Sequence, residues 1–198
     1  MLINPYVFAG GPPPPPAVTW NPLDKSPEIT LDFADLRAVN TVPGAYHGVR
    51  ATKGIAASAD GYFELYIEMP VGGFTTVGLE TLAHTLSGYV GQDAVGWGYY
   101  AATGAKVNAG SLAAYGSAWG QGDIIGVALK AGSVWFAKNG VWQGGGDPAA
   151  NTGAAFTGIT GTIFPAAGIF DIATAAATAR FKASAFTYTP PTGFSAWE

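Results

Sequence analysis

Short stretches in which apolar and polar residues alternate recur along most of the chain. In residues 28–33, EITLDF, every second position is apolar, which is typical of a half-buried strand. Residues 61–69, GYFELYIEM, predict a strand with two distinct faces. The core face consists of Phe63, Leu65, Ile67 and Met69. The opposite face consists of Tyr62, Glu64, Tyr66 and Glu68. Five further strands are predicted by the stretches at 75–80, 95–101, 123–130, 133–138 and 177–183.

The stretches between these strands are rich in turn-forming residues, and this sets the fold class. The chain has 198 residues with 29 glycines and 14 prolines, a content that long helices tolerate poorly and short strands accept. Residues 26–38, SPEITLDFADLRA, are the one stretch that resembles a helix, but Pro27 and the β-branched residues argue against it. The pattern predicts one all-β domain, either a sandwich or a barrel.

The first 16 residues break this pattern and predict an extended N-terminal arm. A short apolar stub, Tyr6, Val7 and Phe8, precedes a Gly-Gly pair and then five prolines, Pro12, Pro13, Pro14, Pro15 and Pro16. Five prolines favour a polyproline II rod of about 15 Å, and two glycines before it form a hinge. We expect an anchor arm at 1–16 and a folded domain at 17–198; the alternative is a disordered tail.

Charge and composition exclude several classes of partner. The net charge is −4 and the 9 basic residues are dispersed, so no nucleic-acid surface is expected. Residues 163–179 are apolar but contain Pro165 and Asp171 and are too short to span a bilayer, so no membrane insertion is expected. Because the first residues lack a basic segment before an apolar one, we expect a soluble, non-secreted chain.

The segment SVWFAKNGVWQGGGD, residues 133–147, predicts a hairpin. Asn-Gly is the strongest two-residue hairpin signal because both residues accept a positive φ. With Asn139-Gly140 as the turn, three pairs across the hairpin are expected, Lys138 with Val141, Ala137 with Trp142 and Phe136 with Gln143. Side-chain alternation then places Trp135, Ala137 and Trp142 on one face, and Val134, Phe136 and Val141 on the other, with Val134 and Phe136 in the core.

Aromatic residues on two strands are the candidate binding site. Trp and Tyr offer a large rigid surface with a polar edge, which suits sugar stacking and protein contacts. The candidates are Trp97, Tyr99, Tyr100, Trp135 and Trp142. The alternative is that the C-terminal segment, with Phe186, Tyr188 and Trp197, covers the two hairpin tryptophans as a second small core.

The sequence contains no persuasive catalytic or metal-binding motif. Glu64 and Glu68 share a strand face, but glycosidases need two carboxylates on either side of a substrate, and a solvated strand face is the simpler interpretation. The chain has no cysteine and only two histidines, His47 and His84, without metal-ligand spacing. We expect no catalytic residue, no metal and no cofactor.

Five motifs in order resemble the SPRY family. Residues 122–145, GDIIGVALKAGSVWFAKNGVWQGG, and 164–181, FPAAGIFDIATAAATARF, resemble the C-terminal half of a SPRY domain. The opening motifs, TWNPLDKSPEITL and DGYFELYIEM, and the closing FTYTPPTGFSAW are similar to those of SPRY modules in bacteriophage particle proteins. The resemblance covers about residues 18–198 and departs from the pattern at Lys130, where an acidic residue is usual, and at 180–182, which read Arg-Phe-Lys instead of Asn-Phe-Gly.

The resemblance implies a two-sheet antiparallel β-sandwich of concanavalin A-like topology that binds proteins or glycans and is not an enzyme. With the arm, it suggests a bacteriophage virion structural protein (tail fibre, tail tip or head decoration) assembled in the host cytoplasm. Its expected partners are other virion proteins, held through the arm, and a host surface glycan or protein, with multiple copies in one assembly. The alternative is a soluble lectin-like or adaptor domain that binds a glycan or peptide, and a glycanase is a distant third.

Overall fold

The computed structural model describes residues 16–68, 75–170 and 174–198. Of the predicted anchor, Tyr6, Val7, Phe8 and Pro12–Pro15 lie outside these residues, and so does Met69 of the predicted core face. The described strands are β1 Trp20–Lys25, β2 Ile29–Asp32, β3 Arg37–Asn40, β4 Tyr46–Ala51, β5 Ile55–Ala56, β6 Gly61–Ile67, β7 Thr76–Glu80, β8 Gly96–Tyr100, β9 Lys106–Asn108, β10 Ser111–Ala113, β11 Ile124–Lys130, β12 Ser133–Lys138, β13 Val141–Trp142, β14 Thr162–Phe170 and β15 Ala176–Arg180. One short 3-10 helix, Ala183–Ala185, follows the last strand.

The strands form two antiparallel sheets that pack face to face. The first sheet has the order β1-β4-β14-β7-β8-β9-β10, with β5 paired to β14 beside this path. The second has the order β13-β12-β11-β6-β15-β3-β2. The described chain is therefore nearly all β and forms the expected sandwich.

The main core lies between the sheets and confirms the predicted faces. Phe63, Leu65 and Ile67 of β6 are fully buried there, as are Val134 and Phe136 of β12. Tyr99 of β8 stacks on Phe136 across the two sheets, with ring centroids 5.4 Å apart and planes at 16°. The period of two along each strand therefore selects which side chains enter the core.

All seven predicted strands form, and residues 26–38 form no helix. Instead β2 and β3 pair as a hairpin, with Ile29 opposite Asn40 and Asp32 opposite Arg37. The turn between them carries three successive residues with positive φ, Phe33 (48°), Ala34 (58°) and Asp35 (61°).

The Asn-Gly hairpin has the predicted register. Ala137 pairs with Trp142 and Lys138 with Val141, and the Gln143 N–H donates to the Phe136 carbonyl at 2.9 Å. Asn139 (φ 49°) and Gly140 (φ 77°) both adopt the left-handed conformation that a type I′ turn requires.

Proline in the long strand β14 is accommodated at a gap in its pairing. Pro165 lies opposite Leu79 of β7. On the other side of β14, β5 pairs only with residues 162–163 and β4 begins its pairing at Ala166. Because no strand pairs with residues 164–165 on that side, a proline there removes no hydrogen bond between β14 and β4 or β5.

Residues 81–95, which we call the covering loop, lie on the outer face of the first sheet. The Gly48 N–H donates to the Leu86 carbonyl at 2.8 Å, so the loop backbone bonds directly to β4. A Cβ at Gly168 would lie 3.0 Å from the Tyr89 Cα, and one at Gly98 would overlap the Val90 carbonyl oxygen. Glycines on neighbouring strands therefore form the groove that the covering loop occupies.

A buried guanidinium joins this loop to two strands. Arg50 of β4 makes a bidentate ion pair with Asp24 of β1, with both N–O distances 2.7 Å. Its Nη1 donates to Glu80 of β7 at 2.9 Å and to the carbonyl oxygens of Thr81 and His84 at 3.2 and 2.9 Å. Because Arg50 is 4% exposed, these contacts are shielded from water and salt.

The glycine groove predicts that Gly98→Ala destabilises the protein by about 1–3 kcal/mol, because the new methyl group displaces the loop backbone at Val90. The matched control is Gly120→Ala, since a Cβ there has no atom within 4 Å, and it should change stability by less than about 0.5 kcal/mol. Chemical denaturation of both variants measures this. Equal stabilities would contradict the proposed packing.

Glu80 predicts a pH dependence of stability. Burial, opposed by Arg50, raises the pKa of Glu80 to about 8 from an ordinary value of 4.5. The folded state therefore keeps a proton that the unfolded state releases, so this stabilisation is present below the unfolded pKa and is lost as pH rises towards 8. Against Glu80→Gln, the melting temperature of the natural protein should fall between pH 5 and pH 8. A constant difference between the two proteins over that range would contradict this assignment.

Candidate functional site

The five aromatic residues predicted from the sequence do not form one surface. Tyr99 and Trp135 are fully buried, each 0% exposed, and Tyr100 is 8% exposed. Trp97 is half-buried against the main core. Burial removes Tyr99 and Trp135 from any ligand-binding surface of the folded protein, whereas a binding role for Trp97, Tyr100 and Trp142 stays a prediction.

A second apolar cluster lies on the outer face of the second sheet, around Trp135. Its buried members are Tyr62, Ala128 and Trp135. Residues packed against them include Trp142 of the hairpin and two rings of the C-terminal segment, Phe186 and Phe194. Phe186 meets Tyr62 edge to face with ring centroids 4.9 Å apart, and Phe194 meets Trp135 edge to face at 6.3 Å. The C-terminal segment therefore packs over the hairpin tryptophans, as the alternative predicted.

That alternative was wrong for Trp197. Its ring lies in the main core, 5.6 Å from Phe63 between ring centroids, and its Nε1–H donates to the Lys53 carbonyl at 3.0 Å. The last residues bond to the backbone of Tyr62 in the central strand β6 and place Trp197 in the interior, a path that no local pattern indicates.

Glu64 was expected on a solvated face, and this was wrong. The side chain is fully buried and accepts hydrogen bonds from the backbone N–H groups of Thr187 at 2.8 Å and Tyr188 at 2.9 Å. The Tyr62 hydroxyl donates to the same carboxylate at 3.0 Å, and Arg180 pairs with it at 3.3 Å. Glu64 thus holds the C-terminal segment on the second sheet.

Glu68, the other carboxylate of that strand face, is also engaged. Arg37 donates to it at 2.7 Å, and the Thr178 hydroxyl is a second donor. Since neither carboxylate is free to act as a general acid in this arrangement, the pair gives no support to a glycanase.

The described part of the chain contains neither a cluster of metal ligands nor a membrane-spanning helix. Among residues 16–68, 75–170 and 174–198, no three His, Cys, Asp or Glu side chains are grouped so that they could hold a metal ion. No helix within these ranges has the length and apolar character needed to cross a bilayer.

Sequence reasoning missed an aromatic cluster at one end of the first sheet. We call it the aromatic end patch and define it as Tyr46, Tyr89, Tyr100 and Phe170. The Tyr46 ring lies 4.8 Å from that of Tyr89 and 4.5 Å from that of Phe170, at interplanar angles of 45° and 47°. Tyr46, Tyr89 and Phe170 are each partly exposed. Only Tyr100 had been singled out from the sequence.

Strand alternation explains why these rings face outward. Val49 of β4, Ile169 of β14 and Tyr99 of β8 enter the main core, so the neighbours that begin or end these strands, Tyr46, Phe170 and Tyr100, take the opposite face. The covering loop adds Tyr89 from above. The sequence feature that could have indicated this cluster is therefore one aromatic residue at the end of each of three strands.

The patch is uncharged and keeps its hydroxyl donors. Residues 41–45, TVPGA, and 85–90, TLSGYV, flank it and contain no charged side chain. Burial, with smaller contributions from the Tyr100 and Tyr89 phenols, raises the pKa of Tyr46 to about 12. The Tyr46 hydroxyl is thus protonated throughout the physiological range and can donate a hydrogen bond.

The aromatic end patch and Pro16, the last residue of the predicted arm, lie at opposite ends of the sandwich. Tyr46 begins β4 and Ala51 ends it, five residues or about 17 Å away at the rise of a strand. Beyond Ala51, the residues that line a cavity of about 910 Å³ include Thr52, Lys53 and the exposed Pro16. The N-terminal arm therefore joins the domain at the end of β4 that is farther from the aromatic end patch.

The role of Glu64 predicts that Glu64→Gln lowers the free energy of unfolding by about 1–3 kcal/mol, because an amide NH₂ must then face a buried N–H donor. It should also increase hydrogen exchange at Thr187 and Tyr188. The control is Glu68→Gln, which alters a partly exposed ion pair and should cost less than about 1 kcal/mol. Denaturation with exchange mass spectrometry measures both effects. Unchanged exchange at 187–188 would contradict the role of Glu64.

Comparison with known proteins agrees with this architecture. The family model of the SPRY domain matches residues 61–180, and no curated protein matches the sequence. The crystal structure of the SPRY domain of human HERC1 superposes with a TM-score of 0.67 at 17% identity, covering 81% of this chain and 96% of that one. A crystal structure of a human SPRY domain gives 0.59 at 20% identity, covering 77% and 94%. The chain therefore belongs to the SPRY family, whose domains are protein–protein binding modules and generally non-catalytic.

Proposed function

We propose that this chain is a non-enzymatic structural protein of a bacteriophage virion. Its N-terminal arm, residues 1–16, attaches the protein to other virion proteins, and its SPRY module presents a binding surface. The observation that supports the proposal is that Pro16, the last residue of the predicted arm, and the aromatic end patch lie at opposite ends of β4. A module tethered at one end keeps its other end free for a partner.

The aromatic end patch is the binding surface in this proposal. Protein interfaces are enriched in tyrosine and other aromatic residues, and contacts that dominate affinity centre on such rings. The patch combines four aromatic side chains with two flanking segments, 41–45 and 85–90, that contain no charged side chain. Its partner is a protein of the host surface or a neighbouring subunit.

The sequence motifs supply the phage context. The opening and closing motifs of the folded domain are similar to those of SPRY modules in phage particle proteins, and the stub, hinge and five prolines form a tether beside a single module. Such a protein is present in multiple copies on the tail or head, and it is assembled in the host cytoplasm. Fold similarity alone does not fix this role.

The second candidate is a soluble lectin-like or adaptor domain. The exposed parts of the Tyr46 and Tyr89 rings favour it, because aromatic faces also stack on sugars. A glycan array with the full chain separates the two candidates. Tight and selective glycan binding by a protein that is absent from particles would support the second.

The tether predicts that deletion of residues 1–15 removes the protein from purified phage particles, as measured by mass spectrometry. The deletion leaves every described residue in place, so the module should fold and melt as before. Leu112→Ser is the control, because Leu112 is exposed on the edge strand β10, and this variant should be incorporated normally. Full incorporation of the deletion variant would refute the attachment role of the arm.

A further inference from the structure

We infer that the aromatic end patch binds a polyproline II segment, and that its occupant is Pro12–Pro16 of a second copy of this chain. This rests on the proposed role of the patch as the binding surface. It adds the chemistry of the partner and a mode of assembly.

The chemistry of the patch suits polyproline. Proline-rich segments dock on aromatic surfaces because the pyrrolidine rings pack flat on aromatic rings and the rod loses little entropy on binding. Proline carbonyls accept hydrogen bonds but the residue has no N–H to donate, so a matching surface must supply donors. Tyr46 and Tyr89 supply rings together with phenol hydroxyls, and the segments at 41–45 and 85–90 add no charge that would select a charged peptide.

The same chain carries the complementary segment. Pro12 to Pro16 are five consecutive prolines, enough for a rod of about 15 Å. The centroids of Tyr89, Tyr46 and Phe170 follow one another at 4.8 and 4.5 Å. Their row of rings is therefore shorter than the rod, which can cover it completely.

The length of the rod requires a second copy. Pro16 lies beyond Ala51, at the end of β4 farther from the patch, where it lines one cavity together with Thr52 and Lys53. Pro12 lies at most about 12 Å from Pro16 along a polyproline rod, whereas Tyr46 lies about 17 Å from Ala51 along β4. The five prolines therefore cannot lie on the patch of their own chain.

This contact joins unlike surfaces, the arm of one copy and the patch of the next. Such a heterologous contact repeats from copy to copy, and it closes into a ring or extends as a row. Each contact is small and weak, but copies already held on a particle by their stubs have a high effective concentration. The arm would then make two contacts: its apolar stub would bind the particle, and its five prolines would bind the neighbouring copy.

The test uses a full-length variant in which Pro12–Pro15 are changed to Ala, so that its own arm does not compete. A peptide of residues 9–17, AGGPPPPPA, is titrated into it and followed by NMR and calorimetry, beside a control peptide, AGGAAAAAA. We expect saturable binding of the proline peptide, at least about tenfold tighter than binding of the control peptide. The NMR chemical shifts of Tyr46 and Tyr89 should change on binding. In sedimentation experiments, self-association of the natural protein should increase with protein concentration, whereas the Pro12–Pro15 variant should stay monomeric.

Tyr89→Ala should weaken peptide binding about tenfold, the loss typical of an aromatic contact at an interface centre. Val141→Ala, on the second sheet, is the matched control and should bind unchanged. A melting curve checks that each variant is folded. The comparison of the two peptides tests the preference for proline over alanine on an unchanged patch.

Equal binding of the two peptides would overturn the inference, and so would proline-peptide binding that a folded Tyr89→Ala variant retains. Tighter binding of a peptide of residues 1–9 would also overturn it, since the stub would then be the occupant. The peptide-binding results do not determine whether the variant without residues 1–15 is incorporated into particles. That assay tests the proposed function separately.

Discussion

The guanidinium of Arg50 is the contact on which the outer side of the first sheet depends. It is bound by the carboxylate of Asp24, by the carboxyl group of Glu80 and by two carbonyl oxygens at the start of the covering loop. Because buried charges must be paired or they destabilise the fold strongly, the loop is fixed where it leaves β7. That position brings Tyr89 to Tyr46 and completes the aromatic end patch.

The second sheet uses the opposite charge for the same purpose. Glu64 is buried on its outer face and holds the backbone of the C-terminal segment, whose Phe186 and Phe194 cover Trp135. Each sheet is thus covered on both faces over its centre, and a binding partner is left with the ends and edges of the sandwich. Among these, the end with Tyr46 combines aromatic rings and hydroxyl donors with two flanking segments, 41–45 and 85–90, that contain no charged side chain.

Local pattern predicted the strands and most of their faces, but contacts distant in sequence decided the rest. The Asn139-Gly140 turn and the core face of β6 follow from spacing within a few residues, and both were correct. Glu64 lies more than a hundred residues before the segment that buries it, so its strand pattern alone indicated solvent. The aromatic end patch escaped for the same reason, since its members come from three strands and one loop.

We propose a sandwich that is tethered at one end and binds a partner at the other. A cryo-electron microscopy reconstruction of the purified particle tests it most directly, because both ends of β4 can be located against the neighbouring proteins. We expect the end with Pro16 to face the body of the particle and Tyr46 to contact an adjacent copy. A reconstruction in which Tyr46 faces the particle body, or in which the chain is absent, would contradict it.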